Sequence, residues 1–217
     1  MAQLQLCYWD LRGFGEPIRL MLEYLGANYV NEYPASPDAW FAKKYHLNMK
    51  YPNLPYLVDG KNKVTQSYAI MRYLSRKYKC LGASTEEEMT ALDQAEGYCS
   101  DLRGAFGGVC GAPQSQARKA QYVRELPAKL KGLEDVLRQH KWASGNRLAY
   151  IDFAICENLD QQVLFAPNCL DNSPNVKKYK EAFDALPQVA AYRRSGRYKQ
   201  WPVTGGAAVW GQNTSPL

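Results

Sequence analysis

The chain has 217 residues, 46% hydrophobic and 22% charged, with a formal net charge of +6. That is an ordinary globular balance, long enough for one large domain or two small ones. Lys and Arg are spread along the chain, and their densest groups, Lys177-Lys178 and Arg193-Arg194, read as solvated helix faces. Nucleic acid is therefore not expected as a partner, and mild basicity suits a small anionic ligand equally well.

Residues 4–8 alternate, with Leu4, Leu6 and Tyr8 on one face and Gln5 and Cys7 on the other, which predicts a half-buried strand. Gly13-Phe14-Gly15 reads as a flexible turn. Pro17 suits a first helical turn, and Ile18, Met21, Leu22 and Leu25 form one apolar helix face that Gly26 ends. Tyr29 to Tyr33 is a second strand. Residues 34–50 read as less regular. Pro55 to Val58 and Lys63 to Thr65 are two more strands, joined by the turn Asp59-Gly60-Lys61-Asn62. Helical spacing returns from Ser67 through Tyr78. The order β-α-β, β-β-α predicts a thioredoxin-like α/β module over residues 1–80, without that fold's catalytic cysteine pair.

Beyond a short linker the sequence predicts an all-α module over residues 86–217. Thr85-Glu86-Glu87-Glu88 is a capping box that opens a long helix, loosened at its far end by Gly104, Gly107, Gly108 and Gly111. A further helix runs from Val123 to Leu137 with a kink expected at Pro127. Residues 150–165 are apolar almost all round, the mark of a central buried helix. Two shorter helices follow, from Ser173-Pro174 through Phe183 and over 187–195. Trp201 and Trp210 in the tail must pack somewhere.

The six cysteines form no C-x-x-C pair, and His46 and His140 stand apart, so no metal site is expected. The amino end lacks the apolar run of a signal peptide, and no stretch nears the roughly 18 apolar residues of a membrane span. These features predict a cytoplasmic chain with reduced thiols, no metal and no membrane partner.

Four places carry chemistry. Tyr8 alone reads first as a half-buried tyrosine with its hydroxyl at the rim. Its functional reading is a phenol aimed at a ligand sulfur. A hydrogen bond to a charged group stabilises it by about 1.5–3 kcal/mol, which lowers a thiol pKa by about one to two units. Asn53-Leu54-Pro55 is either a plain X-Pro strand start or a cis-proline that frees the Leu54 backbone for an extended ligand. Gln66-Ser67 stands at a helix start, where Ser67 is either a simple cap or an anion site. Trp40 and Lys44, at i and i+4, offer an indole N–H and an ammonium to a second carboxylate, or form a solvated surface pair. Together these describe a pocket for a zwitterionic tripeptide with a central thiol.

At several collinear stretches the chain resembles the mu-class glutathione transferases. They are Tyr8-Trp9-Asp10-Leu11-Arg12-Gly13, Pro52 to Gly60, Thr65-Gln66-Ser67, Glu125 to Leu130, and Ala208-Val209-Trp210-Gly211. The resemblance implies conjugation of reduced glutathione to hydrophobic electrophiles, with glutathione as co-substrate and no prosthetic group. It implies that Tyr8 donates to the thiolate. It implies that Trp9, Trp40, Lys44, Asn53, Leu54, Gln66 and Ser67 hold glutathione, and that Asp101 reaches the partner subunit's glutathione. A homodimer follows from the same resemblance, with Tyr51 plugging into the other subunit and Arg72, Arg76, Asp93 and Glu96 near the interface.

The chain departs from that family in four places. The segment between Tyr33 and Trp40 is short, as in helminth mu-like enzymes, so the loop that overhangs vertebrate active sites is largely absent. Gly111 replaces a tyrosine that helps polarise the electrophile, and Gly205 replaces a small polar residue of the tail. An open, apolar electrophile pocket beside both is expected. Ala149 replaces the helix cap before residue 150 and leaves Asp152 and a Leu148–Phe153 staple. Two rival functions share this scaffold: a non-catalytic carrier of apolar ligands and a glutathione-dependent isomerase.

Overall fold

In the computed structural model, which describes residues 3–113, 115–206 and 208–212, four strands form one sheet. They are β1 (Leu4–Cys7), β2 (Tyr29–Glu32), β3 (Tyr56–Asp59) and β4 (Asn62–Thr65), in the order β2-β1-β3-β4. β1 and β2 run parallel, while β3 is antiparallel to β1 and β4. Helix α1 (Glu16–Tyr24) makes the crossover, with Pro17 in its first turn and Gly26 at φ +59° just beyond its end. Asp59 pairs with Asn62, so the hairpin turns on Gly60 (φ +57°) and Lys61.

Register decides where the chemistry collects. Cys7 pairs with Tyr56, and Tyr56 with Thr65. The end of β1, the start of β3 and the end of β4 therefore share one end of the sheet. Tyr8, Leu54-Pro55 and Gln66-Ser67 are the residues that follow or precede those positions.

Residues 34–50 are more ordered than the sequence suggests. Helix α2 (Pro37–Lys43) is capped by the Ser36 hydroxyl, which accepts the Ala39 N–H at 3.1 Å, and a 3-10 turn covers Lys44–His46. The Ser-Pro start signal was present, but seven residues are too few to show a helical period.

Helix α3 (Ser67–Tyr78) leads to α4 (Glu86–Gly111), which runs unbroken through its glycines. Thr85 accepts the Glu88 N–H at 3.1 Å, and the Glu88 carboxylate reaches back to the Ser84 N–H at 2.7 Å. Helix α5 (Gln116–Leu137) begins seven residues before Val123, capped by Ser115, and continues through Pro127. Helices α6 (Tyr150–Phe165), α7 (Pro174–Asp184) and α8 (Pro187–Arg194) complete the chain order.

Helix α6 is the hub, buried along most of its length, with α1, α3, α4 and α7 packed on it. Ala149 has no side-chain acceptor to offer at its start. Asp152 keeps the other half of the cap, accepting the N–H groups of Ala149 (2.8 Å) and Ala143 (2.9 Å) and the Tyr179 hydroxyl (2.7 Å). Full burial pushes the Asp152 carboxyl up to about 6, against those three bonds. Leu148 and Phe153 both join the main core.

A buried charge network ties the loop after β1 to this hub. Arg12, fully buried, donates to both oxygens of Glu157 (2.9 and 2.7 Å) and to Asp160 (2.6 Å). Asp160 also meets Lys180 of α7 at 2.9 Å and Arg193 of α8 at 3.2 Å. Burial opposes ionisation of Asp160, yet the three cations hold its pKa far below the ordinary carboxylate range. The tail closes over the network, with Pro202 and Val203 accepting the N–H groups of Arg12 (2.9 Å) and Gly13 (3.0 Å). Trp210 settles edge-on against Phe106, Phe165 and Trp201 at 5.2–5.7 Å between centroids.

Candidate active site

Tyr8 leaves the end of β1 with its N–H on the Glu32 carbonyl at 3.1 Å. Its hydroxyl oxygen accepts the Phe14 N–H at 3.0 Å. Its own proton finds no acceptor among the described residues. Burial raises the Tyr8 pKa above the ordinary phenol value, outweighing the Phe14 bond and the positive charges of Arg103 and Arg19. Tyr8 is thus a neutral phenol at neutral pH, equipped to donate a proton in a hydrogen bond rather than to remove one.

Gly13-Phe14-Gly15 is not a flexible turn. A Cβ at Gly13 would lie 2.5 Å from the Tyr8 hydroxyl oxygen, and one at Gly15 would lie 2.6 Å from the Tyr8 ring. Gly13 also sits at φ +40°. Both glycines are needed because the backbone closes directly onto the phenol. Arg19 holds the same loop from below, donating to the carbonyls of Leu11 (2.9 Å) and Trp9 (3.4 Å) while paired with Glu16 at 2.9 Å.

The expectation of a half-buried β1 needs correction at its end. Cys7 is buried as deeply as Leu4, in a cluster with Tyr8, Trp40, Leu54 and Tyr56. Helix α2 covers the second face of the sheet there, and burial pushes the Cys7 thiol pKa up.

Leu54, 9% exposed, precedes Pro55 through a cis peptide bond and makes no backbone hydrogen bond among the described residues. Trp40 is buried and stacks on Tyr56 at 6.1 Å, joining the same cluster. Lys44 follows one turn later, its ammonium 5.9 Å from the Phe41 ring and 5.3 Å from the Tyr45 ring. Gln66 is the N-cap of α3 at φ +72°, and Ser67 is its first helical residue rather than its cap. Asn53 and Gln66 are exposed, while Trp9 and Ser67 are half-buried. Asp101 is exposed on α4.

A cavity of about 960 Å³ opens beside Tyr8, between the sheet end, α4, α6 and the tail. Gly205 lines it as expected. A Cβ there would lie 2.5 Å from Leu11 Cδ2, so Leu11 fills the space a larger residue would take. Gly111 does not line the cavity; it is exposed, with open space beside it. The wall from α4 is instead Arg103, Gly104, Phe106, Gly107 and Cys110. The cavity is less uniformly apolar than expected. Arg103 lies 3.8 Å over the Phe14 ring, and Asn158 and Gln161 of α6 contribute amides. The one sequence signal for Arg103 is its spacing to Phe106 and Cys110 (i, i+3, i+7), which sets all three on one helix face.

Comparison with known proteins gives the same picture. Models of the glutathione S-transferase N-terminal and C-terminal domains match residues 4–76 and 100–196. Glutathione S-transferase Mu 1 of Bos taurus is 39% identical over 213 residues, covering 95% of this chain and 97% of the relative. Its Homo sapiens counterpart is 38% identical over the same shares of both chains. The crystal structure of the glutathione S-transferase Blo t 8 superposes with a TM-score of 0.86 at 30% identity, covering 96% of this chain and 100% of that one. An Onchocerca volvulus pi-class glutathione S-transferase does so with a TM-score of 0.81 at 28% identity, covering 94% and 99%. The chain belongs to the glutathione S-transferase family, in its mu class.

Proposed function

We propose that this transferase conjugates reduced glutathione to hydrophobic electrophiles through a thiolate steadied by the Tyr8 hydroxyl. One observation carries the reading: the Tyr8 oxygen is occupied by the Phe14 N–H, while its proton is free beside the cavity. A phenol so placed stabilises a thiolate more than a thiol. Bringing a thiol of ordinary pKa ~8.5 to about 7 turns a few per cent of thiolate into about half. The thiolate then attacks the electrophilic carbon, a C–S bond forms, and the leaving group departs with its electron pair. The cavity holds the electrophile against the sulfur and excludes water from it.

Glutathione lies extended across the sheet end. Leu54 supplies backbone N–H and C=O, and Gln66 and Ser67 receive one carboxylate at the start of α3. Lys44, Trp9 and Trp40 meet the other end, with Asn53 beside them. Residues 1–80 form this glutathione-holding module and residues 86–217 the module that completes the electrophile cavity; their outermost ends lie outside the described residues. In a homodimer Asp101 reaches the partner's glutathione, and Tyr51, 68% exposed, is the residue that plugs into the partner. Arg72 and Glu96 pair within one chain and bridge α3 to α4. Six free cysteines support a cytoplasmic location. No helix among the described residues is long and apolar enough to cross a membrane.

The test is conjugation of chlorodinitrobenzene by wild type and Tyr8→Phe. The variant is expected to lose about 10- to 30-fold in kcat at neutral pH while still binding glutathione. Equal rates would instead favour a carrier.

A further inference from the structure

Arg103 is the one charged side chain that lines the cavity among the described residues. It is half-buried and makes no ion pair or hydrogen bond among them. Its guanidinium lies 3.8 Å from the centre of the Phe14 ring, whereas the other cation–ring contacts are 5.3–5.9 Å. A planar guanidinium this close stacks on the ring face and leaves the N–H groups at its edge unpaired. The backbone N–H of the same Phe14 donates to the Tyr8 oxygen at 3.0 Å. One residue therefore ties the cation and the phenol to the same stretch of cavity wall. Burial raises the pKa of Tyr8, and the Arg103 charge pulls it back, so the field of the arginine reaches the phenol.

Other donors on the wall are already engaged. The Ser100 hydroxyl donates to the Glu96 carbonyl at 3.0 Å, the Thr204 hydroxyl to the Trp210 carbonyl, and the Gln161 NH2 group to Glu157 Oε1 at 2.8 Å. Asn158 is fully buried. Beside the arginine there is room: a Cβ added at Gly104 or Gly107 would meet nothing within 4 Å. A cation with free N–H groups, next to open volume in an otherwise uncharged cavity, is a preorganised partner for negative charge that develops on a bound molecule.

We propose that Arg103 is a further catalytic residue, which receives the negative charge that develops on the carbonyl oxygen of an α,β-unsaturated carbonyl electrophile. This proposal rests on the transferase reading and adds a group that acts on the electrophile. The thiolate adds to the β carbon and forms the C–S bond. The alkene π pair moves between the α carbon and the carbonyl carbon, and the carbonyl π pair moves onto oxygen. The enolate so formed accepts hydrogen bonds from the guanidinium. The α carbon then takes a proton from water, and the hydroxide left behind is neutralised by the proton that the thiol lost. Substitution with iodide as leaving group puts no charge on an oxygen and draws far less on Arg103.

The experiment compares wild type and Arg103→Met at saturating glutathione, with trans-4-phenyl-3-buten-2-one and with benzyl iodide. Methionine is a good helix former, so α4 is kept. The ratio of variant to wild type removes the intrinsic reactivity of each compound. The variant is expected to lose about 10- to 100-fold in kcat with the enone and about threefold or less with the iodide. KM for the enone should stay within about threefold, because the charge is absent from the ground state. Arg103→Gln carries the same expectation if the methionine variant does not fold. Equal losses with both compounds, no loss with either, or a wild type that conjugates the iodide but not the enone would overturn the role of Arg103. A wild type that conjugates neither would overturn the transferase reading itself, a distinct result.

Discussion

The two sides of the site are built on different plans. Around Tyr8 the chain is locked. Gly13 and Gly15 close onto the ring, Arg19 clamps the Trp9 and Leu11 carbonyls, and Arg12 anchors the loop to three helices. Along the tripeptide side, Asn53, Gln66 and Asp101 are exposed, and their side chains have no hydrogen-bond partner among the described residues. The contrast separates two tasks. A donor that acts on developing charge gains by being fixed before the ligand arrives, whereas groups that hold a flexible peptide must be free to meet it. Changes on the locked side should therefore alter stability and kcat, and changes on the free side should alter KM.

The largest effect should come from Arg12→Met. It leaves Glu157 buried and unpaired, which costs about 3–5 kcal/mol in denaturant unfolding. A loss below about 1 kcal/mol would break the idea of a locked side. The same network fixes a pH dependence. Asp160 is held below its unfolded pKa, so its contribution is present above about pH 4 and fades as the pH falls. In thermal melts the gap between wild type and Asp160→Asn should be widest at neutral pH and narrow in acid.

Gly15→Ala comes next. Its φ of −83° suits alanine, so the new Cβ acts by pressing on the Tyr8 ring, 2.6 Å away, and more lightly on Arg19 Nη2, 3.1 Å away. Overpacking of this kind costs about 1–3 kcal/mol. Steady-state kinetics should give a reduced kcat with KM for glutathione within about twofold of wild type. The smallest effect belongs to the free side. Lys44→Ala or Gln66→Ala should raise KM for glutathione about fivefold, one hydrogen bond's worth, and leave kcat and melting temperature unchanged.

What the sequence disclosed follows the same division. The α1 stripe, the Asp59-Gly60 hairpin and the all-round apolar α6 depend on spacing along the chain, and all three stand where spacing put them. Tyr8, Leu54-Pro55 and Gln66-Ser67 could be read as a group because each adjoins a strand end. Gly13 and Gly15 carry no such signal, because their need comes from a ring that packs on them, not from any local pattern. Arg103 and Asn158 carry none for the same reason. An arginine among glycines and an asparagine in an apolar helix acquire meaning only when α4 and α6 face one cavity. Gly111 has no place on that cavity, which the turn of α4 gives to Gly107 and Cys110 instead.

The central claim is that a fixed phenol proton steadies the sulfur. Its most direct test is an ultraviolet difference titration of glutathione bound to wild type and to Tyr8→Phe. The account predicts that the bound thiol ionises about one to two pH units below the free tripeptide in wild type, and that the shift disappears with the hydroxyl. A bound thiol that ionises at the same pH as in free solution, or equally in both proteins, would contradict it.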